Sequence, residues 1–308
     1  MRRLVLILLD ALLVAAALVT ITSFLGGLHF FFEWMSHART LICIFCILLT
    51  LFLMIFSTRK RVWICLFLSL INAVQIISLY VPERAQPRGS GTQFKFLQMN
   101  IWGGKNKEIK SVIALIEKEN AEVVGISELT NETWSKLGPK LKPYPYQVVQ
   151  PSYGGIGLFS KFPIDDGKLE HFGAMKRPRV VARLKIRDRY IKVVFAHPII
   201  PMRKIGFRDA EFVQLAKDVN SANEPAILAG DLNCTPWSYK FYELMRNANL
   251  KDSEKGFGYQ PSWSTFHWLP LFCIDHLLTT REFSILKRYS GPYVGSDHLP
   301  VITVLSLH

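Results

Sequence analysis

The chain has no internal repeat and no low-complexity tract, so neither a solenoid nor a long disordered tail organises it. Cysteine is scarce, five in 308 residues, which excludes a disulfide-dense scaffold. Cys43, Cys46 and Cys65 fall in apolar runs, where cysteine acts as a small apolar side chain. The Cys43/Cys46 spacing is therefore not read as a metal or redox pair. Only Cys234 and Cys273 lie elsewhere, as a disulfide or as two free thiols. Acidic residues are also in deficit: 24, against 37 Lys and Arg, for a net charge of +13. Residues 1–91 hold eight basic and three acidic side chains, so the remainder carries +8. That balance favours polyanionic substrates or an anionic membrane surface. The basic residues are scattered and form no long run, so sequence-specific nucleic-acid reading is not inferred.

The N-terminal third is mostly apolar. Runs at 4–25, 40–56 and 62–80 each approach the roughly 20 residues that cross a bilayer as a helix. Met1-Arg2-Arg3 gives the first run the start of a signal peptide, but two more runs follow at once, so it reads as a retained helix. Arg2 and Arg3 precede the first helix, and Arg59-Lys60-Arg61 separates the second from the third. The loop 26–39 holds one Arg and one Glu. The positive-inside bias then puts the N-terminus in the cytoplasm and the large domain outside. Asp10, Asn72 and Gln75 lie inside the runs; a charged residue there is a functional candidate by default, but Asp10, about two turns in, can equally reach the interface or pair with a neighbouring helix. Residues 82–91 are rich in Pro, Gly and charge and read as a linker. The expected organisation is a three-helix anchor at 1–81, the linker, and one domain at 92–308.

Within that domain, runs rich in Val, Ile and Phe at 94–99, 123–127, 155–159, 180–186, 191–196, 226–229, 272–278 and 301–307 read as strands. Helical spacing appears at 107–120, 207–219 and 239–248. Strands and helices alternate, with adjacent strands in the middle, which predicts a layered α/β domain with mixed sheets.

Polar chemistry clusters at the ends of these runs. Asp231-Leu232-Asn233, Asp275-His276 and Ser296-Asp297-His298 stand in the last third. Asn100, Glu128 and His197 follow strand-like runs upstream. Carboxylates hold a hard cation such as Mg²⁺, and an imidazole moves a proton near neutral pH. Together they suit metal-assisted attack on a phosphate ester. Singly, Asn100 reads as a turn residue, Glu128 as a cap for a helix near 131, and His197 as a loop histidine. His276 alternates to the other face of its strand and reads as structural. Tyr153 and Trp263 stack on a substrate ring or, the favoured reading, simply pack. Lys161, Arg179 and Arg208 are phosphate contacts or surface charges.

The ordered set Gln98-Met99-Asn100, Ser127-Glu128, residues 154–164, Ala196-His197-Pro198, Gly230-Asp231-Leu232-Asn233, Ile274-Asp275-His276 and Ser296-Asp297-His298 resembles the endonuclease/exonuclease/phosphatase superfamily. That group includes DNase I-like nucleases, apurinic endonucleases, neutral sphingomyelinases and inositol-polyphosphate 5-phosphatases. The resemblance spans about residues 94–308. It implies a two-sheet α/β sandwich with helices outside, a site at one sheet rim, and dependence on Mg²⁺ or Mn²⁺. It implies metal-side roles for Glu128, Asn100 and Asp297. His298, oriented by Asp275, is similar to the family's base or phosphate-contacting histidine. Asp231 and Asn233 resemble the pair that positions water and phosphoryl oxygens. His197 matches the histidine of the DNase and sphingomyelinase branches. Asn100-Ile101-Trp102 lacks the second acidic residue of some apurinic endonucleases, and the segment 231–238 lacks a 5-phosphatase signature. That segment and Trp263 look more like bacterial membrane-anchored members. The expectation is an inner-membrane, multi-pass phosphoester hydrolase with its domain outside the cytoplasm. It would act as a phosphodiesterase or nuclease; the alternatives are a phospholipid-headgroup phosphoesterase and a silent polyanion-binding module.

Overall fold

A computed structural model describes residues 2–82, 91–173, 175–200, 206–265 and 272–308. The expected linker, residues 82–91, lies almost wholly outside them. Four helices open the chain: α1 (Arg2–Thr22), α2 (Phe30–His37), α3 (Arg39–Phe56) and α4 (Arg59–Ile77). Three segments, Arg3–Thr22, Arg39–Phe56 and Arg59–Tyr80, are long and apolar enough to cross a membrane. Leu9, Leu13, Ile42, Leu49, Leu53 and Leu68 pack them together, while Leu4, Ile7, Leu48, Met54, Phe67 and Leu70 point outward. Asp10 and Asn72, inside these runs, find partners. Arg61 clasps Asp10 at 2.6 Å. Asn72 donates to Thr20 and to the Leu68 carbonyl and accepts from Arg39. Asn72 therefore ties three helices together, a structural use.

Among the described residues twelve strands follow. They are β1 (Thr92–Asn100), β2 (Val123–Ser127), β3 (Tyr146–Gln150), β4 (Ile156–Ser160), β5 (Ile164–His171), β6 (Pro178–Ile186), β7 (Arg189–Ala196), β8 (Ala226–Asp231), β9 (Lys251–Asp252), β10 (Asp275–Thr279), β11 (Phe283–Ser290) and β12 (Val301–Leu307). They form two six-stranded sheets, ordered β11-β12-β1-β2-β4-β3 and β5-β6-β7-β8-β10-β9. The inner faces meet in an apolar layer that includes Phe96, Val123 and Leu158 from one sheet and Val193, Phe195, Ile227 and Leu277 from the other. Helices α5 (Ile109–Glu119) and α6 (Asn131–Leu137) cover one outer face, and α7 (Phe207–Asn220) and α8 (Tyr239–Asn247) cover the other. The expected two-sheet sandwich with three preceding apolar helices is what the chain adopts. The five cysteines are free, so Cys234 and Cys273 are thiols.

Two features set the rim. β1 and β2 are parallel, as are β7 and β8, so their carboxyl ends lie together; β10 and β12 are antiparallel to β8 and β1 and begin where those end. Convergence thus comes from mixed sheets, not from strands all in one sense. Gln98 then ties the sheets at that rim. Its amide donates to the His276 carbonyl and accepts from Gly230 N–H, both at 3.0 Å.

The short helix α2 was not expected. It docks on the domain rather than on solvent. Glu33 accepts from Arg208 at 3.0 Å, from Ser238 Oγ, and from the Tyr239 N–H at 3.0 Å, so it caps α8 from outside the domain. His37 Nδ1 lies 3.1 Å from Thr235 Oγ1. The Leu79 carbonyl accepts the N–H groups of Gly256 and Gly258.

Candidate active site

Every residue expected at the site reaches the same rim. Asn100 ends β1, and its amide donates at 3.1 Å to both Glu128 Oε1 and Asp231 Oδ2. Glu128, just past β2, and Asn233, just past β8, both have left-handed backbone, with φ of 58° and 51°. A non-glycine residue there is held by its surroundings at a cost of about 1–3 kcal/mol, as is common at functional sites. Asp231 closes β8. Its Oδ1 accepts the Asn233 N–H at 3.0 Å, and its Oδ2 lies 3.2 Å from His197 Nε2 and 3.6 Å from His298 Nε2. The Asn233 amide donates to the Pro198 carbonyl at 2.9 Å, fixing the segment that carries His197. Asp275 opens β10, and its Oδ2 lies 2.8 Å from His298 Nδ1.

The electrostatics follow from burial. Burial alone would lower the His298 pKa, but Asp275, Asp231 and Asp297 push it up to about 10. His298 is therefore an imidazolium near neutral pH. Burial alone would raise Asp231, yet His298 and His197, with bonds from His197 and Asn100, hold it well below the usual carboxylate range. Asp297 goes the other way. Burial raises it, the charges of Glu128 and Asp231 add to the rise, and His298 and Trp263 oppose it.

Several contributors were not expected. The Trp263 indole N–H donates to Asp297 Oδ2 at 3.2 Å, so Trp263 does more than pack. Ser296 donates to the Asn100 carbonyl and accepts from His298 N–H, tying β1 to the last strand's approach. Arg177 donates to the His197 carbonyl at 2.8 Å. Ser296 stands inside a noted motif and Trp263 stands out as an aromatic; Arg177 has no local signal. The remaining candidates are occupied elsewhere. Arg179 pairs with Asp218, Arg208 with Glu33, and Lys161 with Asn120. Tyr153 is 98% exposed. His276 faces away and contacts the Cys234 carbonyl. A cavity of about 530 Å³ lies between α2 and Arg208, Asp209 and Lys240, lined by none of the site residues.

The donor set fits a divalent cation. Asp297 Oδ1 is buried and has no hydrogen-bond partner among the described residues. Its carboxylate feels the charges of Glu128 and Asp231. Like charges gathered in a desolvated place call for a counter-charge.

A two-sheet sandwich carrying carboxylates and paired histidines on one rim defines a phosphoesterase-type hydrolase. The chain belongs to the endonuclease/exonuclease/phosphatase family, whose model matches residues 97–298. No curated protein matches it significantly. Among solved structures it is similar to a family member from Bacteroides thetaiotaomicron at 13% identity, covering 71% of this chain and 96% of that one, TM-score 0.60. It is also similar to D. rerio TDP2 complexed with a single-strand DNA product, at 11% identity, 70% and 99% coverage, TM-score 0.59. A third is the human Nocturnin catalytic domain with bound sulfate, at 16% identity, 70% and 95% coverage, TM-score 0.57. At these identities the likeness is one of fold.

Proposed function

We propose that this protein is a membrane-anchored, divalent-metal-dependent phosphoester hydrolase that cleaves phosphodiesters. The observation that carries the reading is His298, bonded to Asp275 at 2.8 Å and set 3.6 Å from Asp231, beside the Asn100–Glu128 pair. Glu128, Asn100 and Asp297 would hold Mg²⁺ or Mn²⁺. That ion supplies offset of the phosphate charge and stabilisation of the leaving oxygen. The chain's own groups do the rest. His298 contacts the phosphoryl oxygens as charge builds on them. Asp231, kept ionised, orients the attacking water together with Asn233. His197, on the other side of Asp231, donates its proton to the leaving oxygen. Nucleic acid is the first substrate class, supported by the +8 charge of residues 92–308 and by the DNA product held by the similar TDP2.

A second reading, hydrolysis of phospholipid headgroups, is favoured by α2. His37 touches Thr235, two residues past Asn233, so the anchor lies close behind the site. We place the three apolar helices across a bacterial inner membrane, with the domain on the outer side.

The test uses the full chain in mild detergent with Mg²⁺ or Mn²⁺. The substrates are bis-p-nitrophenyl phosphate, plasmid DNA, RNA, and micelles of sphingomyelin or phosphatidylinositol. Metal-dependent cleavage is expected, with Glu128→Ala and His298→Ala each lowering kcat by about 10²–10⁴ while the circular-dichroism melt is unchanged. Full activity in either variant overturns the assignment. Cleavage of micelles alone selects the second reading.

A further inference from the structure

We propose that Asp252, Glu254 and His276 form a second, buried cation site that takes a divalent transition-metal ion, Zn²⁺ or Mn²⁺. The three lie behind the catalytic rim, on the far side of β10 from His298. They come from different places: Asp252 ends the edge strand β9, Glu254 stands two residues further on, and His276 is the second residue of β10. One ligand atom from each lies within 4.8 Å of the other two. Their exposures are 4%, 0% and 0%.

Clustered acids alone would not make a site. Here the hydrogen bonding of each side chain leaves one buried atom without a hydrogen-bond partner among the described residues. Asp252 Oδ1 accepts the Glu254 N–H at 2.9 Å, and Glu254 Oε1 accepts the Gln260 N–H at 2.9 Å. Their other oxygens, Asp252 Oδ2 and Glu254 Oε2, are buried with no hydrogen-bond partner among the described residues. His276 repeats the pattern. Its Nε2 lies 2.8 Å from the Cys234 carbonyl oxygen. A carbonyl only accepts, so Nε2 carries the hydrogen, and Nδ1 of the neutral ring is the nitrogen left to hold an ion. Nδ1 too is buried with no partner among the described residues. Fixing one imidazole nitrogen with a backbone carbonyl is how metal-ligating histidines are oriented.

Three unpartnered atoms, two of them carboxylate oxygens, thus belong to one cluster held out of water. Such an arrangement needs positive charge between its members. Arg288 is the near cation and does not fill that role. It comes no closer than 4.0 Å to Glu254 Oε2, and its N–H groups are directed to Ser253 Oγ, Gln260 Oε1 and the Asp275 carbonyl. One imidazole nitrogen and two carboxylate oxygens suit Zn²⁺ or Mn²⁺; Ca²⁺ takes six to eight oxygens. An ion here would pin β9 and the turn after it to β10. The first residue of β10 is Asp275, which orients His298. The site is therefore structural support for the rim, and it stands whether or not the catalytic reading does.

Metal content tests the proposal directly. Full-length protein, its Glu128→Ala variant and its Glu254→Gln variant are purified in detergent, passed through EDTA by gel filtration, and analysed by plasma mass spectrometry. About one equivalent of Zn or Mn should remain in wild type and in Glu128→Ala, and be lost from Glu254→Gln. Stripping Glu128→Ala with a strong chelator should lower its Tm, and one equivalent of Zn²⁺ or Mn²⁺ should restore it. If Glu254→Gln does not fold, the Glu128→Ala measurements decide alone. Absence of metal from Glu128→Ala together with a Tm indifferent to Zn²⁺ and Mn²⁺ overturns the proposal, as does equal metal in folded Glu254→Gln and wild type. The three atoms would then share a proton.

Discussion

Gly230 governs where Asp231 points. Its φ is +134°, and a Cβ there would sit 1.9 Å from the Ala196 carbonyl oxygen, a backbone atom that has nowhere to go. The same contact sets β8 against the end of β7, just before His197. Gly230→Ala should therefore destabilise by about 3 kcal/mol through overpacking and backbone strain, read as a lower Tm. It should also depress kcat, because Asp231 and His197 move apart. A variant as stable and active as wild type would show that the rim tolerates the shift. At this scale the sequence was informative about chemistry and silent about support. Asn100, Glu128, His197, Asp231, Asp275 and His298 were legible because carboxylates, amides and imidazoles at strand ends have few other reasons to recur in order. Trp263 and Arg177 act through long-range bonds to Asp297 and the His197 carbonyl, and Gln98 through two, to the His276 carbonyl and the Gly230 N–H. No local pattern encodes such partners.

The same division appears among the elements. All eight expected strand runs became strands, although the 272–278 run is a strand only from Asp275. The four strands not expected, β3, β5, β9 and β11, are the four outer edges of the two sheets. Edge strands are half-solvated, short or charged, which protects against unwanted pairing. β5 reads Ile-Asp-Asp-Gly-Lys-Leu-Glu-His and is mostly exposed, so apolar periodicity could not find it. Helix α2 was missed for a different reason. Its sequence, Phe-Phe-Phe-Glu-Trp-Met-Ser-His, looks like an interfacial loop, and its purpose lies in Glu33 and His37, whose partners are some 200 residues away. Glu33 and the Arg208 it pairs with are each 3% exposed. Removing one partner of a buried pair costs about 3–5 kcal/mol. Glu33→Ala should lower Tm by roughly 10 °C, and adding Arg208→Met should recover part of the loss. Equal melting of wild type and Glu33→Ala would mean that α2 is not docked. His37 gives this junction a pH dependence. Burial, and next the Arg208 charge, lower its pKa to about 3. The unfolded chain takes up the proton first, so the stability from neutral His37 is full above 6.5 and is lost as pH falls towards 3. At pH 5.5 about 1.4 kcal/mol should be gone. His37→Gln should flatten that part of the Tm–pH curve, and an unchanged slope would exclude the residue.

For the whole molecule, two independent lines support the proposed placement about a membrane. One is charge: Arg3 and Arg59-Lys60-Arg61 stand at one end of the three-helix group, where Arg61 also meets Asp10, and basic residues stay cytoplasmic. The other is contact, and owes nothing to charge counting. Helix α2 joins the far end of α1 to α3, and the segment after α4 leads into the domain. Both touch the domain: α2 through Glu33 and His37, and the end of α4 through Ser78, whose carbonyl accepts from Lys255, and Leu79. If the three apolar helices cross a membrane as proposed, the loop between the first two spans and the domain lie on one side, as three crossings require. Arg84 and Arg88 follow the third span and dilute the charge argument; they leave the contact argument untouched. Alkaline phosphatase fused after His308 should be active in cells, and a reporter that matures only in the cytoplasm should be dark at the same point. Fused after Ser57, at the other end of α3, the two reporters should exchange behaviour. Activity of the cytoplasmic reporter at His308 with darkness at Ser57 would invert the orientation while keeping the fold. Cytoplasmic activity at both points would mean that the apolar helices do not cross the membrane, and the docked α2 would then hold a hairpin against the domain from a single side.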